Sequence, residues 1–225
     1  MFIKKSYLSR RIVLFLTVLF GVTILAGEVS AKKKKNTPPN AIVMTNVQSF
    51  DKVFRQAQSA NGKLKAAQAS IRTSKIALRS ALKLKKRSTY LQGLKQLKRR
   101  ARGKIKVFMT QGKLQIKATD AVPTDVRKGI RAVNQLTKTI PSSLKNLKGV
   151  STDSKRMAKQ VENFPVNLQA ELKRQGDNGL TLASKMPKAT RVTLNNIKVI
   201  GSMPKRAMRT TTELIQITKM IQEVF

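Results

Sequence analysis

Apolar residues return at alternating intervals of four and three along much of this chain. Val43, Val47, Phe50, Phe54 and Ala57 set the rhythm, which gathers them on one side of an α-helix. A first helix is expected to begin near Ala41. Asn61-Gly62 interrupts the pattern, and Leu64, Ala67, Ile71, Leu78 and Leu82 resume it. Two helices, or one helix flexed at Gly62, would satisfy that spacing. A basic cluster, Lys83 to Arg87, ends the stretch, and Ser88 or Thr89 can cap the helix that follows.

That next helix is expected to run from Thr89 to about Lys106. Leu91, Leu94, Ala101, Ile105 and Phe108 share one of its sides, while Lys95, Arg99, Arg102 and Lys106 form a second, cationic stripe beside it. Beyond Gly103 the period changes. Ile105, Val107 and Met109, then Leu114, Ile116 and Ala118, alternate around Gln111-Gly112, the pattern of a β-hairpin. Helix is favoured here over a hairpin, because no other strand candidate exists to pair with it and a lone hairpin is marginal.

From Asp120 onward an apolar residue precedes proline five times: Val122-Pro123, Ile140-Pro141, Phe164-Pro165, Met186-Pro187 and Met203-Pro204. Proline fits the first turn of a helix and pushes the residue before it out of the helical region. Each pair is therefore expected to mark a helix start. Pro165 differs, since Met157, Val161, Phe164, Leu168 and Leu172 form one stripe running through it, so there a kink in a single helix is expected instead. Leu144-Lys145-Asn146-Leu147-Lys148 echoes Leu194-Asn195-Asn196-Ile197-Lys198 fifty residues later, which raises the question of a duplication. Gly176-Asp177-Asn178-Gly179 is the clearest turn. Leu214, Ile217, Ile221 and Val224 give the C-terminus a face with which to dock. The fold class implied is all-α: an elongated bundle or array of amphipathic helices, with a small β-hairpin near 105–118 as the local alternative.

The first residues change where the rest is placed. Lys4, Lys5, Arg10 and Arg11 precede an apolar run, Ile12 to Ala26, and Val29-Ser30-Ala31 offers a small-residue cleavage site. This is the layout of an export signal over 1–31. Ser9-Arg10-Arg11-Ile12-Val13-Leu14 resembles a twin-arginine signal, with Val13 where that pattern favours Phe. The apolar run is short for a membrane span, although Lys32 to Lys35 just beyond it keep a retained N-terminal anchor as the alternative. Residues 32–40, with Pro38-Pro39, read as a linker. A cationic helical region, 41–118, and a proline-punctuated one, 119–225, follow. The expected location is periplasmic or secreted.

Charge then dominates. The 225 residues carry 47 Lys and Arg against 10 Asp and Glu, a formal net charge of +37. Such an excess repels itself and favours an anionic partner. The expected contact residues are Lys83, Lys85, Lys86 and Arg87, then Lys95, Lys98, Arg99, Arg100, Arg102, Lys104 and Lys106. Partners in keeping with export are an anionic polymer or membrane surface. Chromosomal nucleic acid does not fit an exported protein, and the few aromatics do not suit single-strand binding. A protein partner or a homo-oligomer is the other class of partner. It belongs to a second reading, a structural scaffold of the cell envelope acting through helix packing, which the heptad spacing of Val43 to Ala57 motivates.

Enzyme chemistry has little to work with. The chain has no His and no Cys, which removes the usual general base, thiol nucleophile and transition-metal ligands. Asp120 and Asp125 are read as caps around Pro123. No cofactor and no metal site is expected.

Overall fold

The structure, a computed structural model, describes residues 41–110 and 113–225. The export signal and the linker expected over 1–40 lie outside the described residues. The chain enters as an extended strap rather than a helix, and Asp51 is the reason. Its carboxylate accepts from the Thr45 and Asn46 backbone N–H groups at 2.7 and 3.0 Å and from the Thr45 hydroxyl at 2.8 Å. Asn46 turns left-handed, with φ 64°, and helix α1 starts only at Gln48, not near Ala41. Before it, Val43 is held by the amide of Asn196, which accepts from its N–H at 3.1 Å and donates to its C=O at 2.6 Å.

Helix α1, Gln48–Ala81, is one helix. Gly62 does not interrupt it, because the glycine sits on the exposed face while Asn61 and Leu64 carry the buried one. After it come α2 (Tyr90–Ala101), β1 (Ile105–Thr110), β2 (Lys113–Ala118), α3 (Thr124–Val161), α4 (Phe164–Arg174) and α5 (Gly179–Val224). The fold is all-α with one small hairpin. The long helix α3 shares its largest interfaces with α1 and α5, which also meet each other. A single core draws on every helix and both strands.

The buried positions of α5 are Ala189, Thr193, Asn196, Ile200, Met203, Ala207, Thr210, Leu214, Ile217, Ile221 and Val224, with Val199 beside them. The eleven alternate at four and three residues without a break, the seam expected of helices running side by side. The C-terminal face Leu214 to Val224 docks as its spacing implied. The stripe Val47, Phe50, Phe54 and Ala57 is likewise buried in this chain's own core.

Proline separates the expectations from the fold. Pro123 does precede a helix, and Pro165 stands in the first turn of α4. Pro141, Pro187 and Pro204 instead lie inside α3 and α5. An interior proline costs about 3 kcal/mol; at Pro141 and Pro204 burial of the stripe on either side outweighs it, whereas Pro187 lies just before the first buried position of α5, Ala189. Beside each one a hydroxyl donates to a carbonyl one turn back: Thr139 to Leu136, Ser184 to Thr181 and Ser202 to Val199, at 2.8–2.9 Å. Such bonds accommodate the bend that a proline imposes. At Pro165 the expected kink is a true break between α3 and α4, with Glu162 and Asn163 still in the right-handed helical region. The break lets Phe164 stack on Phe50, centroids 3.9 Å apart, and meet Phe54 edge-on at 5.7 Å. The fifty-residue echo has no structural counterpart at its centre: Asn196 is buried and clamps Val43, whereas Asn146 is exposed.

The segment 105–118 is a hairpin, not a continuation of α2. Arg102 and Gly103 both take positive φ, 48° and 80°, and the Lys104 N–H closes onto Ala101 O at 2.9 Å. The hairpin avoids the marginality of a lone pair of strands because β2 packs on α3. Asn134 of α3 serves as a surrogate third strand: it donates to Ile116 O at 2.7 Å and accepts from Ile116 N–H at 2.8 Å.

Candidate anion-binding surface

Helix α2 is the best-defined part of the cationic end. Thr89 and Gln92 form a reciprocal capping box. The inner face is Tyr90, Gly93, Leu94, Leu97 and Ala101. It fits closely: a Cβ on Gly93 would lie 2.7 Å from Leu78 Cδ2, and one on Gly129 of α3 would lie 2.8 Å from Leu97 Cδ1. Tyr90 enters this junction beside Ser74, whose hydroxyl lies 3.2 Å from the phenol oxygen. Burial pushes the phenol up to about 12, partly offset by that contact.

The outer face carries Lys95, Lys98, Arg99 and Arg102, all exposed. These four, with Gly103, line an open cleft of about 580 Å³ whose far wall is Glu223 and Val224, at the end of α5. Lys98 and Arg99 stand in the last turn of the helix, where the negative end of the helix dipole favours them. The cationic stripe expected along a longer helix is cut short, because α2 stops at Ala101 and Arg102, Lys104 and Lys106 lie beyond it.

Arg100 and Lys104 have other roles. Arg100 pairs with Asp125 in the first turn of α3, and Lys104 pairs with Asp120 at 2.8 Å. The carboxylates read as caps around Pro123 are thus ion-pair partners that tie α2 and the start of the hairpin to the start of α3. Asp125 is held below the ordinary carboxylate range chiefly by its hydrogen bond from Arg100, and Asp120 by its bond from Lys104 and then by the Ala121 N–H.

Lys83, Lys85, Lys86 and Arg87 lie in the link between α1 and α2, all exposed. The Arg79 guanidinium donates to Ser88 O at 2.7 Å through Nε and shapes the link. It brings Lys83 alone to a second cleft of about 620 Å³, lined also by Lys128, Arg131 and Gln135 of α3. Arg131 and Gln135 also line a third cleft, of about 470 Å³, between α3 and the hairpin, where Lys138, Thr110 and Gln115 join them. Lys83, Lys128, Arg131 and Lys138 therefore form a cationic strip along α3. The expected set contained only the first of them. The signal was present: 128, 131 and 138 fall on the face opposite the apolar stripe Val126, Ile130, Val133. Lys106 stands apart, on the hairpin, opposite Lys117.

The arrangement offers charge and little else. Among the described residues no group of three or more His, Cys, Asp or Glu is placed to hold a metal ion, and no helix is long and apolar enough to cross a membrane. Three comparisons were made, with protein-family models, with curated proteins and with solved structures, and none gave a match.

Proposed function

We propose that this protein is an exported, non-enzymatic, strongly cationic helical protein that binds an anionic component of the cell envelope: lipopolysaccharide, anionic lipid or an acidic polymer. The observation that carries the reading is the cleft where Lys95, Lys98, Arg99 and Arg102 converge. Four exposed cations, three on α2 and Arg102 at its C-cap, give multivalent Coulomb attraction that falls steeply with salt. Lys83, Lys128, Arg131 and Lys138 extend the same character along α3. The alternative reading, packing on a protein partner, drew on the stripe from Val43 to Ala57, and most of that stripe is spent on the internal core.

The test compares two folded triple variants for binding to heparin and to lipopolysaccharide. Lys98→Glu, Arg99→Glu and Arg102→Glu alter the cleft while sparing the Arg100–Asp125 pair. Lys145→Glu, Lys148→Glu and Lys155→Glu make the same charge change at exposed positions of α3. The first variant should bind at least about tenfold more weakly than the second at ~0.1 M salt. Equal affinities would mean that charge acts collectively and that the cleft is not a site. Export is checked separately by intact mass, which should show a chain beginning at Lys32.

A further inference from the structure

We infer that the end of β1 at Phe108 and Met109 docks on an anionic lipid bilayer and seats at headgroup depth. The inference rests on the anion-binding reading above and names its partner.

Along the inner face of β1, burial falls away from the helices: Ile105 is 8% exposed, Val107 is half-buried and Met109 is 61% exposed. Phe108, on the outer face, is 41% exposed. Adjacent residues of a strand point to opposite sides, so β1 leaves one apolar side chain exposed on each face here, although Leu114, the cross-strand partner of Met109, is buried. Two large apolar side chains are exposed there.

Cations surround them. Lys106 and Lys117 face each other across the strand pair, on the same face as Phe108. Lys117 Nζ lies 5.5 Å from the Phe108 ring. Arg131 and Lys138 line the cleft beneath Thr110 and Gln115. A soluble polyanion would engage these charges and gain nothing from Phe108 and Met109. An anionic bilayer uses both, since cations meet headgroups while apolar side chains reach the acyl boundary. A flat protein surface covers one face of a strand, whereas a fluid headgroup layer can reach both Phe108 and Met109, which lie on opposite faces.

Backbone geometry limits the depth. The Thr119 N–H bonds to Lys104 O, so Lys106/Lys117 and Phe108/Gln115 are the hydrogen-bonded pairs of the ladder. Ile105, Val107 and Met109 therefore turn their own N–H and C=O groups to the free edge. Unpaired backbone is not tolerated in hydrocarbon, which keeps the edge among hydrated headgroups. The opposite edge is closed at Ile116 by Asn134.

The experiment uses the mature protein, the Phe108→Ala/Met109→Ala double variant, and three probes: phosphatidylcholine vesicles, the same vesicles with one-third phosphatidylglycerol, and heparin. The exposed side chains leave the fold intact, checked by circular dichroism. Wild type should cosediment with anionic vesicles and not with phosphatidylcholine alone. The double variant should bind anionic vesicles at least about tenfold more weakly and keep its heparin affinity. The chain has no Trp, so Phe108→Trp gives a single reporter whose emission should shift to the blue with anionic vesicles and not with heparin. An unchanged vesicle affinity in the double variant overturns the inference while leaving anion binding standing. So does an equal loss on vesicles and heparin, or wild-type binding to phosphatidylcholine as tight as to the anionic mixture. If wild type binds neither heparin nor anionic vesicles, both readings fall.

Discussion

The seam between α5 and its neighbours and the α2–hairpin end are built on opposite terms. In the seam, burial is continuous: the eleven α5 positions from Ala189 to Val224 are all buried, on a helix whose largest interface is with α3. At the other end the strands are six residues each, and stability comes from a few specific devices. These are a capping box, two ion pairs, two glycines at a leucine cluster and one asparagine clamp. The difference teaches where charge can be tolerated. A region whose core is thin but locally pinned can leave most of its surface to Lys and Arg, because its fold does not rest on a broad apolar seam.

Breaking the seam should have the largest effect. Ile200 is fully buried, and Ile200→Ala should cost about 2–5 kcal/mol, read as a lower denaturation midpoint in urea. The clamps come next. Asn134→Ala and Asn196→Ala each leave one N–H and one C=O without a partner, at about 1–3 kcal/mol. Hydrogen exchange separates them: the first should expose the Ile116 amide, the second the Val43 amide, each without loosening the other. If both variants loosen both amides, the two regions are one cooperative unit and the contrast between them fails.

Glycines sharpen the contrast at smaller scale. Gly93→Ala pushes a methyl to 2.7 Å from Leu78 Cδ2 and 3.2 Å from its Cγ, and overpacking of this kind costs about 1–3 kcal/mol. Gly62→Ala meets nothing within 4 Å and should stabilise by about 0.5–1 kcal/mol. Thermal melts of the two variants should move in opposite directions. The smallest effect is with pH. Asp120 and Asp125 have folded-state pKa values below the ordinary 3.8, from their bonds to Lys104 and Arg100. Their contribution is present above that value and lost as pH falls through the depressed folded values. Acid should therefore loosen the α2–α3 junction, with exchange of the Val126 amide rising below about pH 4. The amide of Ile200, on a stripe of α5 whose eleven buried positions include no carboxylate, should show no matching change.

What the sequence determined by itself was periodicity, and with it the all-α class, the Thr89 cap, the turn at Gly176–Gly179 and the docking of the last helix. These rest on interactions within a few residues, so local spacing carries them. It also determined that cations crowd the stretch from Lys83 to Lys106. Tertiary structure decided how those cations are used. Arg100 and Lys104 are claimed by carboxylates sixteen and more residues away, while Lys128, Arg131 and Lys138 join Lys83 because α1 and α3 lie side by side. The hairpin was legible as alternation, but its rescue depends on Asn134, whose amide mimics a peptide group and leaves no pattern in the chain. The same is true of Asn196 and the strap. That Pro141 and Pro204 ride inside a helix rather than open one is likewise settled by burial on both sides of them. Local geometry sets a cost of a few kcal/mol, and only the packed neighbours supply the energy that overrides it.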